Sequence, residues 1–365
     1  MSETRINWYR TKIDKETLRE LTQKSDAWGL AQSLGHLALS VATGYITWHV
    51  CVERIWWAII PAFFLHGTVT SFMGVGAACH ELSHGTVFKT KWLNDFFYGL
   101  FSFISWSNPV WFRTSHMKHH QYTLHQPDDL EVILPAHFGL KDFLNSLQIG
   151  FEHVRYPIRK HFRYSLGRVK GEWDERIFPP EKPELRRALF NWSRFILIGH
   201  IALAAGFIAI GQWILIPIAL IPFYSNWLNL LVAVPQHLGL QAEVDDFRMS
   251  CRTVLLHPIN AFLYWQMNYH LEHHMYAAVP FFRLKKLHEL IKHDCPEPNQ
   301  GLADTWREII MIQSFQDKNK SVAYDQWSRG KEPQFIAADG RMEDPEQTPS
   351  SRISPTEIPV ARAQA

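Results

Sequence analysis

The sequence predicts an all-α integral membrane protein, in which four spans form two transmembrane helical hairpins below a cytoplasmic helical cap. Three observations predict this fold: long stretches without a charged residue, a one-sided distribution of Lys and Arg, and clusters of histidine beside the apolar stretches. The 365 residues include 37 Lys and Arg against 35 Asp and Glu, and the net charge is +2. A balance so near neutral gives no reason to expect a nucleic-acid partner.

The uncharged stretches predict where the spans lie. Residues 27–52 and 55–79 contain no Asp, Glu, Lys or Arg, and a helix needs about 20 apolar residues to cross a bilayer. The uncharged stretch 195–242 is too long for one span and suits two. Gly211 and Gln212 are the expected turn between them. Two hairpins therefore enter the bilayer from the same side.

The positive residues predict which side is cytoplasmic. All but two of the 37 Lys and Arg, namely Arg54 and Arg194, fall on the face that also holds both termini. The positive-inside rule makes this face cytoplasmic. The sequence thus divides into a cytoplasmic N-terminal segment (1–26), a membrane domain (27–317) and a polar C-terminal tail (318–365) that is expected to be disordered.

Two segments between the hairpins have their own patterns. Residues 96–112 are uncharged but too few for a comfortable span, which predicts a re-entrant or interfacial element. Residues 138–168 alternate aromatic and aliphatic residues with Lys and Arg. Such a pattern fits a helix on the membrane surface and equally a helix that covers the cytoplasmic domain.

Nine of the 20 histidines are grouped beside the predicted spans. Eight of them lie in the motifs HELSH, HMKHH and HLEHH, and a ninth follows the fourth span. The candidate metal ligands are His80, His84, His116, His119, His120, His237, His270, His273 and His274.

The spacing of these histidines suits metal binding. Helical positions i, i+3 and i+4 share one face, so each motif presents two or three imidazoles in one direction. Neutral imidazole is a common ligand of zinc, copper and iron. Nine candidates exceed what one ion needs, so the sequence predicts two metal ions, whose identity the ligands alone leave open.

Other interpretations of these motifs remain open at this point. HELSH also satisfies His-Glu-x-x-His, the zinc metalloprotease motif, in which Glu81 would be the general base. A non-catalytic metal-binding or transport protein is a further alternative. In the favoured interpretation Glu81 and Glu272 accept hydrogen bonds from imidazole N–H groups or are solvated. Asp128 and Asp129 are expected to cap a helix or to orient a ligand.

At these motifs the sequence resembles the membrane fatty acid desaturase superfamily, the integral-membrane non-haem di-iron desaturases and hydroxylases. The superfamily pattern is His-x(3-4)-His, then His-x(2-3)-His-His, then a late His-x(2-3)-His-His, and the three motifs match it in order. Residues 265–288, WQMNYHLEHHMYAAVPFFRLKKLH, resemble the third motif with its closing histidine. His237, in PQHLGL, matches an additional histidine of the superfamily. The resemblance extends from residue 27 to about residue 293.

The resemblance implies that the nine histidines hold two iron ions in an O2-dependent oxidoreductase. It also implies a separate electron donor, a cytochrome b5 or a ferredoxin with its reductase, and an apolar substrate taken from the lipid bilayer. Desaturation of an aliphatic, fatty acyl or lipid chain is the favoured reaction. A hydroxylase or ketolase of a non-acyl substrate is the alternative, because PQHLGL and the third motif also resemble such relatives. A multi-pass protein of this kind is expected in the endoplasmic reticulum or, in a bacterium, in the inner membrane.

Overall fold

The computed structural model describes residues 5–134, 136–147, 151–220, 224–319, 321–337 and 342–343, of which 151–153, 337 and 342–343 are described by their backbone alone. These residues are mostly helical, as the sequence predicts. The helices are α1 Lys15–Leu21, α2 Asp26–Val52, α3 Trp56–Ser71, α4 Ala78–Ser83, α5 Lys91–Ile104, α6 Pro109–Tyr122, α7 Leu140–Ser146, α8 Phe151–Ser165, α9 Glu172–Ile177, α10 Pro183–Ala209, α11 Leu215–Ala219, α12 Trp227–Ala233, α13 Phe247–Ser250, α14 Pro258–Leu263, α15 His270–Met275, α16 Phe281–Ile291 and α17 Gly301–Gln316. Short 3-10 helices lie at Val234–Gln236, Lys292–Asp294 and Gln326–Ser328, and the strands are β1 Val322–Tyr324, β2 Phe335–Ala337 and β3 Met342–Glu343.

The first predicted hairpin is formed by α2 and α3. Helix α2 matches the predicted range, and its N-cap Ser25 accepts a hydrogen bond from the backbone N–H of Trp28. Helix α3 is shorter than predicted, because the chain turns through residues 72–77 before α4 begins. A Cβ on Gly76 would lie 2.3 Å from Oδ1 of Asn229, so a larger residue in this turn would displace the Asn229 side chain, whose amide donates to the carbonyl of Ser71.

The second predicted hairpin is only partly regular. Helix α10 has 27 residues and, among the described residues, is the one helix long and apolar enough to cross a membrane by length and composition. After the turn at Gly211, whose φ is +71°, the chain forms the short helices α11 and α12 instead of one continuous span. Ser225, just before α12, has a φ of +58°, which no helix allows.

The two segments between the hairpins are helical. Helix α5 occupies most of the uncharged stretch 96–112 and ends before Asn108, whose side chain caps α6. The stretch 138–168 holds two helices, α7 and α8, where one was expected. Helix α8 packs on α10, and His161 and Tyr164 are buried in that contact region. One face of α8 thus covers the N-terminal part of α10.

The C-terminal region differs from its predicted disorder over residues 321–337. Strands β1, β2 and β3 pair antiparallel in a small sheet. Val322, Tyr324 and Phe335 are buried against Ile312 and Phe315 of α17. These apolar contacts hold residues 321–337 on the domain, so the predicted boundary at residue 317 does not separate them from it. Residues 344–365 of the predicted tail lie outside the described residues.

Candidate metal centre

Four segments carry the nine candidate histidines to one place in the molecule. His80 lies in α4 and His84 directly follows it. Helix α6 carries the histidines of HMKHH, and α15 carries those of HLEHH. His237 follows the 3-10 helix Val234–Gln236. All nine side chains lie in two adjoining groups, in each of which the possible ligand atoms are within 4.8 Å of one another.

The first group joins all three histidine motifs. Its members are His80, His84, His116, His120 and His273. The Nε2 atom of His80 lies 3.0 Å from Nε2 of His116 and 3.0 Å from Nε2 of His273. The Nε2 atom of His120 lies 3.0 Å from that of His116, and the Nε2 atom of His84 lies 3.1 Å from that of His273.

These close Nε2 contacts cannot all be hydrogen bonds. A neutral imidazole nitrogen offers either one N–H or one lone pair, so each Nε2 takes part in one such bond. His80, His116 and His273 each have two Nε2 neighbours at this distance. A cation among the rings would accept one lone pair from every member, and the five imidazoles therefore fit a metal ion.

The second group contains four buried imidazoles. Its members are His119, His237, His270 and His274. The Nε2 atoms of His237 and His270 are 2.9 Å apart, and Nε2 of His274 is buried without any hydrogen-bond partner. A buried polar atom without a partner is costly, so this nitrogen also fits a metal ion. The two groups touch where the rings of His120 and His274 stack, with centroids 4.2 Å apart.

Carboxylates and a backbone carbonyl fix the orientation of three of these rings through Nδ1. His116 Nδ1 lies 2.8 Å from Glu131 Oε1, and His119 Nδ1 lies 2.7 Å from Asp129 Oδ2. His237 Nδ1 donates to the carbonyl of Ser250 at 2.8 Å. When Nδ1 carries the hydrogen, Nε2 keeps its lone pair, and this is the tautomer that binds a metal through Nε2.

Burial keeps most of these imidazoles neutral. It lowers the pKa of His84 and of His237 to about 3, and it places the pKa of His80 well below its ordinary value. Burial acts to lower the pKa of His119, but the charge and hydrogen bond of Asp129, with the charge of Glu131, together raise it. Asp129 in turn has a lowered pKa, since His119 and backbone N–H groups outweigh its own burial. Neutral imidazoles beside an ionised carboxylate are a suitable donor set for a divalent metal.

The two predicted glutamates have different outcomes: Glu272 accepts from an imidazole, as predicted, but that imidazole belongs to His288, whereas Glu81 accepts from no imidazole. Glu272 bonds to His288 Nδ1 at 2.5 Å and to Thr253, and to none of the nine candidate ligands. On α15 it lies two positions after His270, about 200° around the helix, so it points away from the histidine face. Glu81 is fully buried and accepts from Thr86 and from the backbone N–H of Phe281, and its Oε2 is 3.9 Å from His273 Nδ1. Neither carboxylate is solvated.

The two predicted aspartates behave differently from one another. Asp129 bonds to His119, as one of its two predicted roles requires, and it also accepts from the backbone N–H of Leu124, which follows α6, so it caps no described helix. Asp128 instead pairs with Arg176 near the surface. Glu131 was missed by the sequence interpretation, because nothing in the sequence links it to a histidine 15 residues earlier. The bond from His237 to the carbonyl of Ser250 was missed as well, because a backbone acceptor has no signature in the residue types.

Comparison with known proteins is consistent with this geometry. The model of the fatty acid desaturase family matches residues 55–306, and the chain belongs to that family. It is 22% identical over 295 residues to an sn-1 oleoyl-lipid 12-desaturase of Picosynechococcus sp., covering 71% of this chain and 76% of the relative. It is also 22% identical over 311 residues to a sphingolipid delta(4)-desaturase DES1-like protein of Oryza sativa subsp. japonica, covering 82% of this chain and 84% of the relative.

Family membership makes the protein an oxidoreductase with histidine groups that could hold metal. The family match favours an oxidoreductase over the protease interpretation of HELSH. The burial of Glu81 also speaks against that interpretation, because a general base must reach a substrate water.

Proposed function

We propose that this protein is a membrane-embedded, O2-dependent lipid desaturase with one iron ion in each histidine group. The observation that carries the proposal is the pair of adjoining, buried imidazole groups in a chain of the desaturase family. Imidazole suits zinc and copper as well as iron, so the choice of iron rests on the family. The nine histidines would be its ligands.

The exposed apolar surface supports a place in the membrane. Helices α2, α3 and α10 present many large apolar side chains to their surroundings, among them Trp57 (81% exposed) and Ile60 (79% exposed) on α3. Exposed apolar patches of this size mark contact with lipid or a partner. Exposed tryptophans lie at both ends of the hairpin, Trp28 at the start of α2 and Trp57 at the start of α3, as in the aromatic belts of membrane proteins. We therefore propose a multi-pass arrangement in which both termini are cytoplasmic, with the discontinuous pair α11 and α12 completing the second hairpin.

The proposed substrate is an aliphatic chain of a lipid, since both relatives are described as lipid desaturases. Two neighbouring carbons of the chain each lose one hydrogen, and a double bond forms between them. O2 takes up these two hydrogens with two electrons and two protons from a donor, and two waters leave. The irons, when bound, supply the oxidising power for an unactivated C–H bond.

The residues of this chain would prepare that reaction in two ways. Glu131 and Asp129 hold their histidines in one tautomer and one orientation, which keeps the ligand lone pairs directed at the centre. Seven of the nine histidines are buried, and His84 and His120 are only partly exposed, which limits the access of bulk water to a reactive centre.

A separate electron donor is part of the proposal. Helix α16, which follows the third motif, exposes Lys285 and Lys286. Their charges would attract an acidic donor such as a cytochrome b5 or a ferredoxin. The endoplasmic reticulum membrane or a bacterial inner membrane would supply both the donor and the lipid.

The test is expression in a host of known lipid composition, with product analysis by mass spectrometry. The proposal expects lipids lighter by two hydrogen atoms, lost in the His273→Ala variant and kept in the His137→Ala variant. His137 is an exposed histidine outside both groups. Products heavier by one oxygen atom would instead identify a hydroxylase, and unchanged activity in His273→Ala would contradict the proposed centre.

A further inference from the structure

His237 differs from the eight histidines of the three motifs, which lie in an α-helix or directly at its end. It lies outside the α-helices, in residues 235–241, which we call the His237 loop. Within the loop its carbonyl accepts from the backbone N–H of Leu240 at 3.1 Å. The imidazole itself is anchored from outside the loop, by the carbonyl of Ser250. The position of this ring therefore depends on neighbouring segments.

Arg252 donates hydrogen bonds to backbone carbonyls of the His237 loop on both sides of the histidine. Its backbone N–H donates to the carbonyl of Gln236 at 2.9 Å. Its guanidinium donates to the carbonyls of Pro235 and, at 3.1 Å, Leu238. The side chain of Arg252 is fully buried, so water cannot replace these bonds.

The guanidinium of Arg252 is held in turn by a buried carboxylate shared with a second arginine. Oε1 of Glu308, in α17, lies 3.1 Å from Arg252 Nη2 and 3.0 Å from Arg329 Nη2. Arg329 also donates through Nε to the other carboxylate oxygen of Glu308 and through Nη1 to the carbonyl of Glu297. Arg329 thus holds Glu308 in a bidentate ion pair.

The C-terminal segment 321–337 also touches the loop directly. The backbone N–H of Tyr324 donates to the carbonyl of Gly239 at 3.1 Å. The amide of Gln326 donates to the carbonyl of Cys251 at 2.9 Å, next to Arg252. Gly239 has a φ of +79°, and a Cβ there would lie 2.7 Å from Ile312 Cγ2. The His237 loop thus lies between the segment 321–337 and α17, in contact with both.

We infer that the C-terminal segment 321–337 positions His237 for the metal ion of the second group, acting through Arg329, Glu308 and Arg252. The inference rests on the proposed function, because it takes His237 as a ligand. Arg329 and Glu308 are positioning residues. Arg329 is bonded to neither His237 nor its loop, and its effect would pass through Glu308 and Arg252. The second histidine group would then need residues 321–337, which the sequence predicts to be part of a disordered tail, to hold His237 in place.

The first test measures the loop without any metal. Amide hydrogen exchange is followed in metal-free protein for the wild type, Arg329→Ala and Arg329→Lys. Loss of a buried ion-pair partner is expected to speed exchange in residues 236–241 by roughly tenfold or more, with Arg329→Lys between the other two. The matched control is Phe178→Leu, which weakens a separate buried cluster. In Phe178→Leu we expect no faster exchange in residues 236–241 than elsewhere in the chain. The inference would be overturned if Arg329→Ala left exchange in the loop unchanged, or if it sped exchange equally throughout the chain.

The second test counts metal in the same variants. The expected iron content of Arg329→Ala falls from two per chain towards one, as in His237→Ala, whereas Phe178→Leu keeps two. Arg329→Ala with wild-type iron content would overturn the inference. If Arg329→Ala does not fold, Arg329→Lys serves for the same comparison. If the wild type binds no iron, the proposed function fails, while the exchange measurement still decides whether the segment holds the loop.

Discussion

Glu131 Oε1 lies 2.8 Å from Nδ1 of His116, which joins an acidic residue to a candidate ligand 15 positions earlier in the chain. Ser115 bonds to the other carboxylate oxygen and receives a hydrogen bond from Trp173 of α9. The orientation of His116 is therefore set by a chain of contacts that reaches outside the histidine motifs.

Replacement of Glu131 by Ala is expected to weaken metal binding. Without its acceptor the His116 ring can turn and change tautomer, and loss of such a partner costs about 10- to 100-fold in metal affinity. Competition with chelators of graded strength measures this loss. Asp128→Ala is the control, because Asp128 pairs with Arg176 and with no candidate ligand. Equal affinity in the Glu131 variant and the control would contradict the role of Glu131.

Replacement of Asp129 by Ala is expected to destabilise the metal-free protein as well. Asp129 accepts from His119 and from the backbone N–H groups of Leu124 and Glu131, and it is fully buried. Each buried donor left without a partner costs about 1–3 kcal/mol. Thermal unfolding of metal-free protein should show a clear loss for Asp129→Ala and little change for Asp128→Ala. A loss seen only in the metal-bound protein would show that Asp129 acts on the metal alone.

Replacement of Glu81 by Gln separates the desaturase from a zinc protease. The amide oxygen of Gln can still accept from Thr86 and from the Phe281 N–H, so the fold should be kept. Lipid product formation is expected to stay within about tenfold of the wild type, a change of about 1.4 kcal/mol in the barrier. Complete loss of product in a variant with full iron content would show that Glu81 has a chemical role that its buried position does not suggest.

A cysteine at position 60 tests the proposed membrane surface. Ile60 is 79% exposed on α3, so in water an Ile60→Cys thiol would react readily with a polar maleimide. In membranes it is expected to stay unlabelled until the protein is unfolded, whereas Lys91→Cys should be labelled at once in permeabilised vesicles. Peptide mass spectrometry separates these sites from the four native cysteines. Equal labelling of both sites would place Ile60 in water.

The sequence predicts the candidate centre well because helix spacing determines it. His116, His119 and His120 lie on one face of α6 wherever that helix is placed, and the same holds for the third motif in α15. His237 was predicted from its position after the fourth span and from the family resemblance, because no helical spacing links it to the motifs. The structure brings all nine side chains together, and their role as ligands remains a proposal.

The sequence predicts less well where distant contacts override local composition. The second half of the uncharged stretch 195–242 contains a left-handed residue at Ser225 just before α12, although its apolar content suggests that the fourth span is one continuous helix. Residues 321–337 look like a polar tail, but Val322 and Phe335 find apolar partners on α17 that the local sequence does not reveal. In both segments, contacts with residues distant in the sequence determine the structure, and local composition does not reveal them.

The metal content of the purified protein tests the central claim most directly. Elemental analysis of protein from an iron-supplemented host is predicted to give two irons per chain, with loss of iron in the His119→Ala and His273→Ala variants, which disrupt one group each. One zinc per chain with no iron would contradict the account.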